Sequence, residues 1–115
     1  MKDNLESLKK YTDMLEFYGR LLTLSQRQIM SDYYLFDLSL SEISENRKIS
    51  RSAALDAIKR ASKKLESYED KLGLIQAFRE CKARSRGQSL TALEELEGKI
   101  KNGIWIAEWK IRSHL

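Results

Sequence analysis

Between Ser39 and Leu72 the chain reads SLSEISENRKISRSAALDAIKRASKKLESYEDKL, and its apolar spacing allows few folds. Ser39 followed by Glu42 is a capping-box spacing, in which a hydroxyl satisfies an orphan backbone N–H and a carboxylate reaches back. Leu40 and Ile43 share one face of the helix this cap opens. Arg47 and Lys48 end the apolar pattern, and Ile49 is expected to plug a small core from a turn. Ser50 has the chemistry of an N-cap for the next helix. From there Ala54, Ile58, Ala61, Leu65, Tyr68 and Leu72 recur at steps of four and three, a stripe about five turns long. Gly73 stands where such a helix should stop. Two helices joined by three or four residues, the second basic on its outer face, predict a helix-turn-helix at about 39–68. At about 100° per residue the outer face carries Ser52, Asp56, Lys59 and Lys63, flanked by Arg51 and Leu55. An αα-hairpin with a solvated outer face has the same pattern, and spacing alone leaves the two open.

The rest of the chain is helical in pattern as well. Leu5, Leu8, Tyr11, Leu15, Tyr18 and Leu22 form a first stripe, widened by Met14, Phe17 and Leu21, with Asp3 and Glu6 as the expected cap. Thr23, with Gln26 three residues on, or else Ser25 opens a second helix, expected to end near Phe36, with Leu24, Met30 and Tyr33 inward and Ile29 and Tyr34 beside them. Residues 74–83 suggest another helix. RSRGQS at 84–89 reads as a linker, and Thr91 with Glu94 opens a last helix over 90–115. No proline interrupts these patterns and no period-two alternation occurs, so the expected fold is all-α. It has five or six helices: a helix-turn-helix domain over 1–83, the linker, and a C-terminal helix. That helix carries apolar bulk at Ile104, Trp105, Trp109 and Ile111, more than one face of a 115-residue chain readily hides. A homodimer contact through these four residues is one expectation. Packing on the first helix of the same chain is the other.

Charge is unevenly spread. Residues 1–46 hold five basic and eight acidic side chains, whereas 47–87 hold twelve and five. The excess of cations therefore lies in the second half of the helix-turn-helix and just beyond it, which fits a polyanionic partner. Enzymatic chemistry finds no constellation here. His114 is the sole histidine and Cys81 the sole cysteine, so no zinc site of known spacing and no intramolecular disulfide can form. The five glycines are scattered, so no phosphate loop is spelled out. Adjacent carboxylates such as Glu69-Asp70 and Glu94-Glu95 point different ways on a helix and read as solvated surface. No metal or cofactor is expected. With no apolar run of membrane length and no signal-peptide pattern, the expected compartment is the cytoplasm.

The segment from Tyr11 to Glu80 also resembles the YlxM family of small bacterial proteins, whose helix-turn-helix is like that of the last region of a sigma factor. The resemblance rests on Leu21-Leu22-Thr23, Tyr33-Tyr34, the run from Asp37 to Ile43, Ser50-Arg51, Asp56, Ile58-Lys59-Arg60 and Tyr68-Glu69 with Lys71-Leu72. It implies a regulator associated with the signal recognition particle pathway. The partner would be DNA or structured RNA, including that particle's RNA, or else its protein GTPase. In the nucleic-acid version Ser50, Arg51, Ser52 and Lys59 meet a groove, and Arg47, Lys48, Arg60, Lys63 and Lys64 meet phosphates. Asp56 accepts from a cytosine amino group or repels the backbone. The family usually carries larger polar or aromatic groups at Ser52, Leu55 and Ala57, and an apolar residue and a glycine near Arg47 and Lys48. The smaller residues here remove hydrogen-bonding groups from the reading face. That loss supports an alternative in which the scaffold serves as a protein-binding adaptor.

Overall fold

The computed structural model describes residues 4–101. They form six α-helices and no strand: α1 (Leu5–Tyr18), α2 (Leu24–Tyr34), α3 (Leu40–Arg47), α4 (Arg51–Leu72), α5 (Leu74–Arg84) and α6 (Gly87–Lys101), with a 3₁₀ turn at Gly19–Leu21. The fold is all-α, as the periodicity requires.

Capping fixes most of the starts. Ser39 Oγ accepts from the Glu42 N–H at 3.1 Å and Glu42 Oε1 accepts from the Ser39 N–H at 3.0 Å. Thr23 and Gln26 form the same reciprocal pair at 3.1 and 3.2 Å. Ser50 Oγ accepts from the Ala53 N–H at 3.0 Å and opens α4. At α1 the cap is Asn4, whose Oδ1 accepts from the Glu6 N–H at 2.7 Å, and not the expected pair of Asp3 and Glu6. Each such cap stabilises its helix by about 1 kcal/mol.

The core is the meeting of α1, α2 and α3 on one face of α4. Ala54, Ile58, Ala61 and Leu65 are fully buried there, facing Leu15, Tyr18, Met30 and Ile43 across the same cluster. Ser62 shares the face, and its hydroxyl lies 3.8 Å from Met30 Sδ. The expected stripe runs one turn too far. Tyr68 only packs against the core's edge, and Leu72 is 56% exposed. Ile49 also departs from expectation. Lys48 adopts a left-handed conformation at φ +56°, and both its N–H and that of Ile49 close on the Ser44 carbonyl. This Schellman-type ending satisfies the last turn of α3. It carries Ile49 to the surface, 38% exposed, instead of into the core.

Two polar junctions tie the chain's first helix to the end of α4. Tyr18 donates its hydroxyl to Glu69 Oε1, and that hydroxyl oxygen accepts from the Leu74 N–H at 3.1 Å. The two carboxylate oxygens of Glu69 accept from the N–H groups of Ile75 and Gln76, each at 3.2 Å. Glu69 is thus the cap that α5 lacks locally. Its expected reading as solvated surface is overturned: Gly73, left-handed at φ +63°, turns α5 back so that its first amides face the last turns of α4. One turn earlier, Tyr11 donates to Glu66 at 2.5 Å, and Lys10 lies 3.2 Å from the same oxygen.

Most of the expected linker is helical. Arg84 ends α5 and Gly87 starts α6, leaving Ser85 and Arg86 between them. Gly87 supplies the turn at φ +59°, so Thr91 lies in the helix with its hydroxyl on the Gly87 carbonyl at 3.2 Å. α6 packs on α1 and α5 of its own chain through Leu93 and Ile100. Ion pairs of Lys82 with Glu97 at 2.8 Å and of Lys101 with Glu16 at 3.4 Å flank this contact. Ile104, Trp105, Trp109, Ile111 and His114 lie outside the described residues.

Burial, and for Tyr11 and Tyr18 the hydroxyl bonds to Glu66 and Glu69, push the phenols of Tyr11, Tyr18 and Tyr34 up to about 12. These groups favour the fold in their protonated form. Their contribution is complete below pH 10 and is lost as pH rises toward 12. Glu66 moves the other way, held below the ordinary carboxylate range chiefly by the Tyr11 hydroxyl bond, so its contribution is lost in acid. Tyrosinate absorbance at 295 nm and helical ellipticity are therefore expected to change together above pH 10. Full tyrosine ionisation centred at pH 10 in a still-folded protein would contradict this.

Candidate nucleic-acid interface

The surface that a helix-turn-helix would present is built from α3, the turn Lys48–Ser50 and the first half of α4. Ser50 is spent on capping α4. Arg51, Ser52, Asp56, Lys59, Arg60 and Lys63 are all exposed along α4, and Lys48 is exposed on the turn. The left-handed backbone at Lys48 sets the angle between the helices, a conformation that costs a residue with a Cβ about 1–2 kcal/mol.

Not all of the expected cations are available. Arg47 donates from Nη2 and Nε to Asp32 Oδ2 at 2.6 and 3.0 Å, and from Nη1 to Gln28 Oε1 at 3.4 Å. Asp32 is buried in α2 and the Arg47 side chain is 26% exposed. Arg47 is therefore a brace between α3 and α2 and not a phosphate contact. Lys64 is half-buried with Nζ 3.4 Å from Gln26 Oε1. Arg60 pairs one turn back with Asp56 at 3.0 Å, both well exposed. An exposed pair of this kind contributes under about 1 kcal/mol, so it is easily exchanged for another partner. Lys48, Arg51, Lys59 and Lys63 form no ion pair among the described residues. They are the cations of the motif without a close ion pair, although the charge of Lys63 also acts on the nearby Glu66 carboxylate.

Acidic groups lie close by. An open groove of about 410 Å³ is lined by Tyr33, Asp37, the first turn of α3 with Glu42, and Arg51. Glu45 is exposed on α3. The residue that sequence reasoning missed most clearly is Asp32. A single carboxylate within the apolar run Ile29–Tyr34 was the available sign, because such a group must find a partner when buried. Among the described residues no cluster of His, Cys, Asp and Glu could hold a metal, and no helix is long and apolar enough to cross a membrane.

An eight-residue helix, a three-residue turn closed by a left-handed residue, and a longer helix with an open cationic edge define a helix-turn-helix protein. Comparison with known proteins agrees. Residues 5–102 match the model of the family UPF0122, described as "Putative helix-turn-helix protein, YlxM / p13 like", and the chain belongs to that family. A UPF0122 protein of Bacillus thuringiensis (strain Al Hakam) is 51% identical over 76 residues, covering 66% of this chain and 69% of the relative. One from Bacillus mycoides (strain KBAB4) has the same identity and coverage, and one from Bacillus anthracis (strain A0248) is 50% identical over 76 residues.

Replacing Arg47 with alanine would leave Asp32 buried without its partner. The expected loss is about 3 kcal/mol in urea unfolding, with a smaller loss when Asp32→Asn accompanies it. An unchanged midpoint for Arg47→Ala alone would return Arg47 to the list of free cations.

Proposed function

We propose that this chain is a regulatory protein that binds nucleic acid through phosphates, in the cytoplasm and in association with the protein-targeting machinery. The observation that carries the reading is the set Lys48, Arg51, Lys59 and Lys63, exposed on the turn and one edge of α4 without ion pairs among the described residues. A helix-turn-helix places the start of its second helix toward a groove, so these cations would meet the backbone on either side of it. Duplex DNA and structured RNA both offer the required phosphates. The RNA of the signal recognition particle is the candidate that the family resemblance names. Base reading is a small part of the proposal: Ser52 and Ala53 reach few base edges, and Asp56 has Arg60 beside it.

One observation favours the adaptor reading. The first helix of such a motif crosses the nucleic-acid backbone, yet α3 exposes Glu42 and Glu45 while its arginine is committed to Asp32. A basic protein surface, such as one on the particle's GTPase, would suit that helix better.

Counterion release separates the readings. Four phosphate contacts give a log–log salt slope of roughly −3 to −4 on duplex DNA. Lys59→Ala and Lys63→Ala are each expected to make it shallower by about one, and Arg47→Ala to leave it unchanged. Lys48→Gly should also remove one contact while raising stability by about 0.5–1 kcal/mol, because glycine carries no Cβ into the left-handed region. Absence of salt-sensitive binding to any nucleic acid would give the motif to the adaptor reading.

Dimerisation through Ile104, Trp105, Trp109 and Ile111 belongs to the same proposal, supported by Leu96 standing half-exposed on α6 shortly before them. Light scattering at high micromolar concentration is expected to give twice the 13.4 kDa chain mass. A monomer mass would remove the dimer from the proposal.

A further inference from the structure

Beside the free lysines lies a groove that phosphate binding alone does not explain. It has a volume of about 370 Å³ and opens between α1, the end of α2 and the middle of α4. That volume is within the range of small-ligand pockets. Tyr11 and Tyr34 line it, their ring centroids 5.2 Å apart and their planes tilted by 32°. Tyr33 meets Tyr34 edge-on at 5.0 Å, which stiffens the aromatic wall. From α4 come Lys59 and Lys63, one helical turn apart and both exposed. The one carboxylate in the lining is Glu66, and it is already engaged. Its Oε1 accepts from Tyr11 and pairs with Lys10, whose Nζ also lies 5.2 Å from the Tyr11 ring centroid. Cations therefore outnumber free anions at the mouth, and the wall is aromatic.

A phosphate between two lysines and a planar ring against a tyrosine is the chemistry of a nucleotide. We infer that this groove receives one unpaired nucleotide of a nucleic-acid strand, its phosphate at Lys59 and Lys63 and its base against Tyr11, which the buried Tyr34 backs. The inference rests on the nucleic-acid reading above and narrows its partner to strands with a base outside a helix. Fully paired strands keep their bases stacked and cannot fill the groove. Single-strand binders combine the same two elements, a cationic track and aromatic platforms. The small residues at the start of α4 fit this arrangement, since recognition of an unpaired base needs no side chains reaching into a duplex.

Two RNA duplexes of equal length test it, one fully paired and one carrying a single unpaired 4-thiouridine. The bulged probe is expected to bind about tenfold more tightly. On irradiation its cross-link should map to the peptide containing Tyr11. Equal affinity for both probes, or cross-links confined to other segments, would overturn the inference while leaving phosphate binding standing. Retention of neither probe would overturn both. Ser7 lines the groove mouth, and Ser7→Trp is expected to fill it and bring the affinity ratio to about one. A ratio unchanged in a folded Ser7→Trp protein would also overturn the inference, and if that variant does not fold, the wild-type cross-link map decides. Adenosine or uridine monophosphate is expected to compete only weakly. Displacement of the bulged probe by the monophosphate at equal concentration would make this a free-nucleotide site instead.

Discussion

One face of α4 touches three other helices, and its small residues make that possible. Ala54 and Ala61 have no accessible surface, so neighbouring backbones close on α4 where larger side chains would hold them off. Ile58 and Leu65 alternate with them and fill the remaining space. Truncating either to alanine at a site this tightly enclosed costs about 2–5 kcal/mol. The helix-turn-helix leans on α1 and α2 in this arrangement. α3 has eight residues and Ile43 as its one fully buried side chain, too little to hold a helix without support. α1 and α2 hold α4, and α4 then gives α3 a surface to lie on.

That dependence explains where the buried and half-buried polar groups are spent. Arg47 to Asp32 fastens α3 to α2, Tyr11 to Glu66 fastens α1 to α4, and Tyr18 to Glu69 joins α1, α4 and α5. Each contact sets the angle of one helix against another, which apolar packing alone leaves loose. Each also withdraws a charge from the surface. Of the basic residues between Arg47 and Lys64, one is committed to a brace and one to a glutamine, so fewer cations are free than the sequence counts.

Helix positions and most caps were legible because they depend on near neighbours in the chain. Thr23, Ser39 and Ser50 each cap with a partner three residues on, and that spacing is visible without a fold. The core face of α4 was legible for the same reason up to Leu65. It failed at Leu72 because whether a stripe stays covered depends on where its neighbours end, a tertiary fact. Ile49 failed because the left-handed turn at Lys48 redirects the residue after it, and lysine does not announce that conformation as glycine would. Glu69 and Arg47 failed as surface and phosphate ligand respectively because their partners are distant in sequence. Tyr18 is 51 residues from Glu69, and Asp32 is 15 from Arg47. The resemblance to the YlxM family rests on short motifs that sample local spacings, and the family match over residues 5–102 agrees with it.

The remaining asymmetry is between α3 and α4. A motif that reads duplex sequence needs side chains at the start of its second helix that reach base edges, each good bidentate pair contributing about 1–3 kcal/mol of discrimination. Here that turn offers Arg51, Ser52 and Ala53, of which Arg51 alone can form such a pair. Phosphate contacts add affinity without preference for sequence. Discrimination by this surface would therefore have to come from the shape of the partner. On the nucleic-acid reading, the acidic groups on α3 would act as a filter, since a backbone running straight across Glu42 and Glu45 would be repelled while one following Lys59 and Lys63 would be held. A partner that bends away from α3, or that is irregular there, would meet the cations and avoid the carboxylates. Regular duplex laid across both helices would meet the two signs together, and the opposed charges would leave it less tightly bound than the cations alone would.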